Sequence, residues 1–339
     1  MIGHIGVLAA LLEAGALSGV QSWYGCSGGA ICALLGAIGV SAGWLRDFAT
    51  HFQMRLFGTI SDDFLTSYMT TWGVNSGEEG LAVFGRFLET WEPGCSSWTF
   101  ADLAAARPGR RFAVTATNVT RGTLAWFSEE TTPGMRILEA VRVSCSIPFF
   151  FTPWVGPEGD LYCDGAILEP YPWEHLSAAE RAETLVIACS ENSIGGQRGV
   201  GQETPTSLSQ YLGRLVHIMR RRAPDVPRHW IAVNNRHVSL LDFGLSREER
   251  VGLFEEGCAA GQRWLAWQAE VCSSRRSDPA RHGTPPSSAH PNTSSSDHSL
   301  APERSSGSPP PGGPGGLTAC PSLRPRTLPQ PTSRRRWSL

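Results

Sequence analysis

Trp23-Tyr24-Gly25-Cys26-Ser27-Gly28-Gly29-Ala30 is the stretch on which the reading of this 339-residue chain turns. A β-leaning run, residues 20–24, enters a Gly-x-Ser-x-Gly turn, and an apolar run, residues 30–38, leaves it. The pattern predicts strand, sharp bend and helix, with Ser27 at the bend. Gly25 and Gly29 are then required where strand and helix pass close to a strained serine backbone. The N-terminus of the helix also points unpaired N–H groups, that of Gly28 first, at the place where negative charge would build up. By itself the motif fits an ordinary glycine-rich turn equally well, so the rest of the chain has to decide.

Working outward, residues 4–17 read as a helix with Ile5, Leu8, Leu12 and Ala16 on one face and Gly19 past its end. Ser41 can cap a helix running to about residue 52. Residues 58–81 are mixed, with a loop at 72–77, and residues 78–91 are helical. Thr99 opens a short helix through residue 105. Residues 111–117 and 123–128 alternate as strands about a turn at 118–122. Residues 133–144 are helical, 160–164 and 184–189 are strands, 206–222 a helix, 229–233 a strand, and Ser246 caps a long helix to about residue 269. This alternation over residues 1–272 predicts an α/β domain with three layers, α/β/α, around a mainly parallel sheet. Residues 273–339, rich in Ser, Pro, Gly and Arg and without periodicity, are expected to be a disordered tail.

The 29 basic residues, all arginine, nearly balance 31 acidic ones, which leaves no electrostatic case for nucleic acid. No charge falls between Glu13 and Arg46, yet glycines and polar residues interrupt the span well short of the roughly 20 apolar residues a membrane helix needs. Nine cysteines form no C-x-x-C and no zinc spacing. Together with the lack of a secretory leader, they predict reduced thiols, no metal, and a cytoplasmic protein that meets membranes only peripherally.

The second chemical element is Asp164-Gly165-Ala166. A carboxylate at a strand end, turned by a glycine, can reach a serine on a neighbouring strand and accept its proton. An ordinary aspartate, with a pKa near ~3.9, is a feeble base at neutral pH, so partial burial and close positioning have to help. A turn-capping aspartate fits the same three residues. The nine histidines also allow a Ser–His–Asp arrangement, with His175, His217, His229 or His237 as the third member; His4 reads as structural. Phe149-Phe150-Phe151 fits a lipid-facing wall and a packed core equally, and Arg142 fits a phosphate contact less well than a carboxylate pair.

In order, the chain carries a Gly-His-Ile-Gly-Val-Leu helix, the Gly-Cys-Ser-Gly-Gly elbow, Thr-Phe-Ala-Asp-Leu, Ser-Cys-Ser-Ile-Pro and Tyr-Cys-Asp-Gly-Ala. Together these resemble the patatin-like phospholipase family, most strongly over residues 1–176. The resemblance implies a phospholipase A or lipid esterase with Ser27 as nucleophile and Asp164 as base. It also implies a phospholipid or other lipid ester as substrate, an acyl-enzyme intermediate, and no cofactor. It further implies a first strand and a glycine-rich oxyanion loop ahead of the first helix. The sequence opens on Met1-Ile2-Gly3-His4, so the expected oxyanion donors are Gly3 and Gly28, and an impaired, lipid-binding relative is the alternative expectation.

Overall fold

The computed structural model describes residues 1–58, 60, 64–173, 175–189, 229–234, 238 and 242–277. Residues 206–222 with His217, as well as His237 and residues 278–339, lie outside that set, so the expected helix and disordered tail there are not described. Met1–Val271 belongs to one compact unit, and Cys272 opens a second.

Within the first unit, helix α1 (Ile2–Glu13) precedes strand β1 (Ser22–Cys26), which turns at Ser27 into helix α2 (Gly28–Ile38). α1 stops four residues before the periodicity does, because Gly15 takes a left-handed conformation at φ +67°. Helix α3 (Ala42–His51) begins under a Ser41 cap, whose hydroxyl accepts from Trp44 N at 3.1 Å. Helix α4 (Phe64–Thr71) lies inside the stretch that reads as mixed, and α5 (Glu78–Leu88) follows it. A Thr99–Asp102 capping box starts α6 (Phe100–Ala106). Strands β2 (Arg111–Asn118) and β3 (Thr123–Ser128) then form a hairpin. Helix α7 (Ile137–Ser144) excludes Pro133 and Gly134 and starts after the extended Arg136. Short strands β4 (Trp154–Val155) and β5 (Leu161–Asp164), helix α8 (Ala178–Ala182), parallel strands β6 (Leu185–Cys189) and β7 (His229–Val233), and helix α9 (Arg247–Ser277) complete the order.

The fold is α/β with a mixed sheet. β1–β2 and β6–β7 are parallel, while β2–β3, β2–β5 and β4–β5 are antiparallel. The turn at 118–122 is too short for a crossover, so β3 has to return antiparallel. Side chains alternate between two apolar clusters. Trp23, Phe112, Val114, Ala116, Leu185 and Ile187 face the cluster built by α1, α2, α3 and α7. Tyr24, Ala113, Val186 and Ala188 face the other, closed by Tyr171, Trp173 and Leu176. No helix among the described residues is long and apolar enough to cross a membrane.

One register detail positions everything that follows. β3 pairs with residues 113–118 of β2, and β1 with residues 111–115, so these two occupy opposite edges. β5 pairs with residues 116–118, also opposite β3, and therefore shares the edge that β1 uses. β1 and β5 approach along that edge from its two ends. Their C-terminal residues meet at adjacent rungs, Cys26 on Thr115 and Asp164 on Ala116.

Candidate active site

Ser27 follows Cys26 immediately, so the register just described brings it beside Asp164 although 137 positions separate them in sequence. Its hydroxyl donates to Asp164 Oδ2 at 2.6 Å, short for an O–H···O bond and typical of a charged acceptor. Ser27 sits at φ +55° and ψ −131°, a strained conformation for a residue with a Cβ. The close packing of the elbow holds it there. A Cβ on Gly25 would stand 2.5 Å from Ala30 Cα and 2.6 Å from the Gly29 carbonyl oxygen. A Cβ on Gly165 would stand 2.6 Å from the Thr115 carbonyl oxygen, so that glycine lets Asp164 press against β2.

Asp164 is buried and divides its two oxygens between two tasks. Oδ1 accepts from Ala166 N at 2.8 Å and caps the short 3₁₀ turn Gly165–Ile167, while Oδ2 takes the serine hydroxyl. The same carboxylate thus caps a turn and accepts the hydrogen bond of the serine hydroxyl. The Asp164 backbone is fixed from two sides. Its N–H donates to Ser146 O at 2.9 Å, and its carbonyl accepts from Thr117 Oγ1 at 2.9 Å.

Sequence reasoning missed Ser144. Its hydroxyl accepts the Ser27 N–H at 2.9 Å. The Ser144-Cys145-Ser146 motif thus clamps both halves of the site, one serine on the elbow and the other on the aspartate strand. The motif was visible, but its role depends on where α7 ends, and nothing local encodes that. Ser144→Ala is expected to cost about 1–2 kcal/mol of stability by leaving a part-buried N–H unpaired, and to slow turnover of a short ester by roughly tenfold by loosening the elbow. Thermal melts paired with kcat measurements check both.

The other expected participants fall as follows. Gly28 and Gly29 open α2, where first-turn N–H groups have no helical acceptor. Gly3 lies in a seam between α1 and α9, its carbonyl packed against Gly257, and serves helix packing there. The Cys26 thiol donates to the Glu169 carbonyl at 3.5 Å. His175 stacks on Trp126 at 4.8 Å, and His229 lies in β7; the serine hydroxyl's hydrogen-bond acceptor is the carboxylate, with no ring between them. His4 is buried, and burial lowers its pKa to about 3, so it is neutral at ordinary pH. Burial also lifts the Cys32 and Cys163 thiols to about 12, which makes neither a nucleophile at neutral pH. Arg142 makes no ion pair among the described residues. Its guanidinium donates to the Ser76 and Thr152 carbonyls at 2.7 and 3.1 Å, because the 72–77 loop folds over it. Phe150 and Phe151 are core residues beside Val74 and Ile147, whereas Phe149 is half-buried at φ +69°. No group of three or more His, Cys, Asp or Glu suited to a metal ion occurs among the described residues.

The family model for patatin-like phospholipase matches residues 1–177, the stretch holding the elbow, the Ser144–Ser146 clamp and Asp164. The chain belongs to the patatin-like phospholipase family. Membership supports lipid ester hydrolysis as the general class of activity. Among curated proteins the chain is 25% identical, over 249 residues, to the uncharacterised protein R571 of Acanthamoeba polyphaga mimivirus, a match covering 70% of this chain and 80% of R571. Among solved structures it is similar to VipD from Legionella pneumophila, at 17% identity and a TM-score of 0.48 over 78% of this chain. It is also similar to ExoU from Pseudomonas aeruginosa, crystallised with SpcU, at 17% identity and a TM-score of 0.34 over 78% of this chain. The chain spans 64% of the VipD chain and 50% of the ExoU chain.

Proposed function

We propose that this patatin-like chain is a serine-dependent lipid acyl hydrolase working through a Ser27–Asp164 dyad. The observation that carries the reading is the 2.6 Å hydrogen bond from a strained, elbow-borne serine hydroxyl to a buried carboxylate. Ser27 Oγ attacks the acyl carbonyl of a phospholipid or other lipid ester while its proton passes to Asp164 Oδ2. The tetrahedral oxyanion collapses, the ester C–O bond breaks, and the departing alcohol takes the proton from Asp164. Water then attacks the acyl-enzyme, giving one proton to Asp164. The fatty acid leaves as Ser27 recovers that proton.

The Gly28 N–H at the start of α2 is the donor best placed for the oxyanion, since the Ser27 N–H is already committed to Ser144. Losing one oxyanion donor typically costs about 10²–10³ in rate, so this engagement also favours a second reading, a lipid-binding protein with slow turnover.

A fluorophosphonate probe distinguishes the cases. Covalent labelling is expected on Ser27, located by peptide mass spectrometry, and absent in Ser27→Ala. Labelling combined with fatty-acid release from phosphatidylcholine supports the hydrolase, and labelling without release supports the slow binder. An unlabelled wild-type serine would defeat the dyad reading outright.

A further inference from the structure

Eight large apolar side chains are markedly exposed among the described residues, and five of them fall within residues 60–72: Ile60, Leu65, Tyr68, Met69 and Trp72. The last four follow the i, i+3, i+4, i+7 spacing of a single helix face. They are exposed by 65, 39, 75 and 58% respectively, so α4 turns its apolar face outward. We propose that α4 and Trp72 form an interfacial anchor that seats the protein on an uncharged or zwitterionic lipid surface. The proposal rests on the lipid-hydrolase reading above, since the substrate of such an enzyme is presented as an aggregate.

Three observations favour lipid as the occupant. First, α4 carries no charge, and two of its three threonine hydroxyls are satisfied within the helix: Thr70 Oγ1 donates to Thr66 O, and Thr71 Oγ1 to Ser67 O, both at 2.7 Å. Leaving bulk water therefore costs this helix little. Second, residues 58–77 contain Asp62 and Asp63 but no basic residue, so nothing there complements an anionic surface; a phosphatidylcholine interface fits better. Third, the exposed apolar area, on the order of 500 Å², falls short of the ~800 Å² per partner of a stable protein interface, whereas a Tyr and a Trp beside aliphatic side chains suit a membrane boundary.

The anchor is joined rigidly to the site. Trp72 leaves the helix at φ +59°. Val74 and Asn75 N–H groups both donate to Phe150 O at 3.0 Å, and Thr152 N returns a 2.8 Å bond to Asn75 O. Arg142 fastens Ser76 O to Thr152 O. Phe150 N donates to Ile147 O, one residue beyond the Ser146 carbonyl that holds Asp164. Docking through α4 thus fixes how the dyad meets the lipid.

The test is flotation of the full chain with phosphatidylcholine vesicles, done on Ser27→Ala so that the vesicles survive. Co-flotation is expected, unchanged by a severalfold rise in salt. Leu65→Ser, Met69→Ser and Trp72→Ser together should lower partitioning by about 10²-fold. The same triple change with Ser27 intact should leave soluble short-ester hydrolysis and the melting temperature as in wild type. Absence of co-flotation, unaltered flotation of the triple variant, or adsorption only to anionic vesicles overturns the anchor. So does a melting-temperature loss, or a dimer that the triple variant dissolves, since either means protein covers the face. Flotation that behaves as expected without short-ester hydrolysis defeats the hydrolase reading and leaves the anchor standing.

Discussion

Asp164→Asn is expected to lower kcat on a soluble short-chain ester by about 10³-fold while KM moves less than about threefold, because the change removes a proton acceptor and little else. Asparagine is nearly isosteric with aspartate. Its carbonyl oxygen can still accept from Ala166 N, and its amide can still donate to Ser27 Oγ, so each of these two contacts has a replacement. What it cannot do is take up the serine proton as the hydroxyl attacks. The melting temperature should therefore stay close to wild type, which separates lost chemistry from lost structure. His175→Ala and His229→Ala provide the contrast: neither ring lies between Ser27 and its carboxylate acceptor, and each variant should keep kcat within about threefold. An Asn variant retaining a tenth of the wild-type rate would sink the dyad, and an equally inactive histidine variant would restore the triad.

Gly25→Ala is expected to be the most damaging small substitution in the elbow. The added methyl would lie 2.5–2.7 Å from Ala30 Cα, the Gly29 carbonyl oxygen and Ala30 N, all backbone atoms of the first turn of α2. No side chain can swing aside, so β1 and α2 must separate. An overpacked, buried backbone contact of this kind costs about 3 kcal/mol or more, or a melting temperature lower by roughly 10 °C in a domain of this size. Ser27 sits between the two displaced elements, and activity at a permissive temperature should fall by about 10²-fold as well. Calorimetry and short-ester kinetics on one preparation decide it. An unchanged melting temperature means the elbow relaxes more easily than its packing suggests.

Part of this was legible in the residues alone. Gly25, Ser27 and Gly29 announce a strained bend because glycine spacing is a local steric requirement. The capped helices at Ser41, Thr99 and Ser246 are legible for the same reason, each cap satisfying the helix that follows it. The closeness of Ser27 and Asp164 was suggested by family resemblance and by no local rule, since it depends on the register of two strands against a third. The Ser144 clamp was hidden likewise, because it needs the end of α7 placed beside the elbow. Arg142 misled because a lone arginine near the Ser-Cys-Ser-Ile-Pro turn suggests a charged partner, whereas backbone carbonyls of Ser76 and Thr152 hold it. α4 was passed over because its apolar positions face outward, and periodicity is ordinarily taken as a sign of burial.

The shared edge of β2 has a consequence for how this chemistry can change. The gap between Ser27 and Asp164 is set by two consecutive peptide units, at Thr115 and Ala116, and no side chain of β2 takes part in the bond itself. Conservative exchanges along the strand should leave that gap alone. Adding or deleting one residue there would shift one partner by about 3.3 Å and send its side chain to the opposite face. The Ser27–Asp164 pair is thus tolerant of misspelling in this strand and intolerant of miscounting.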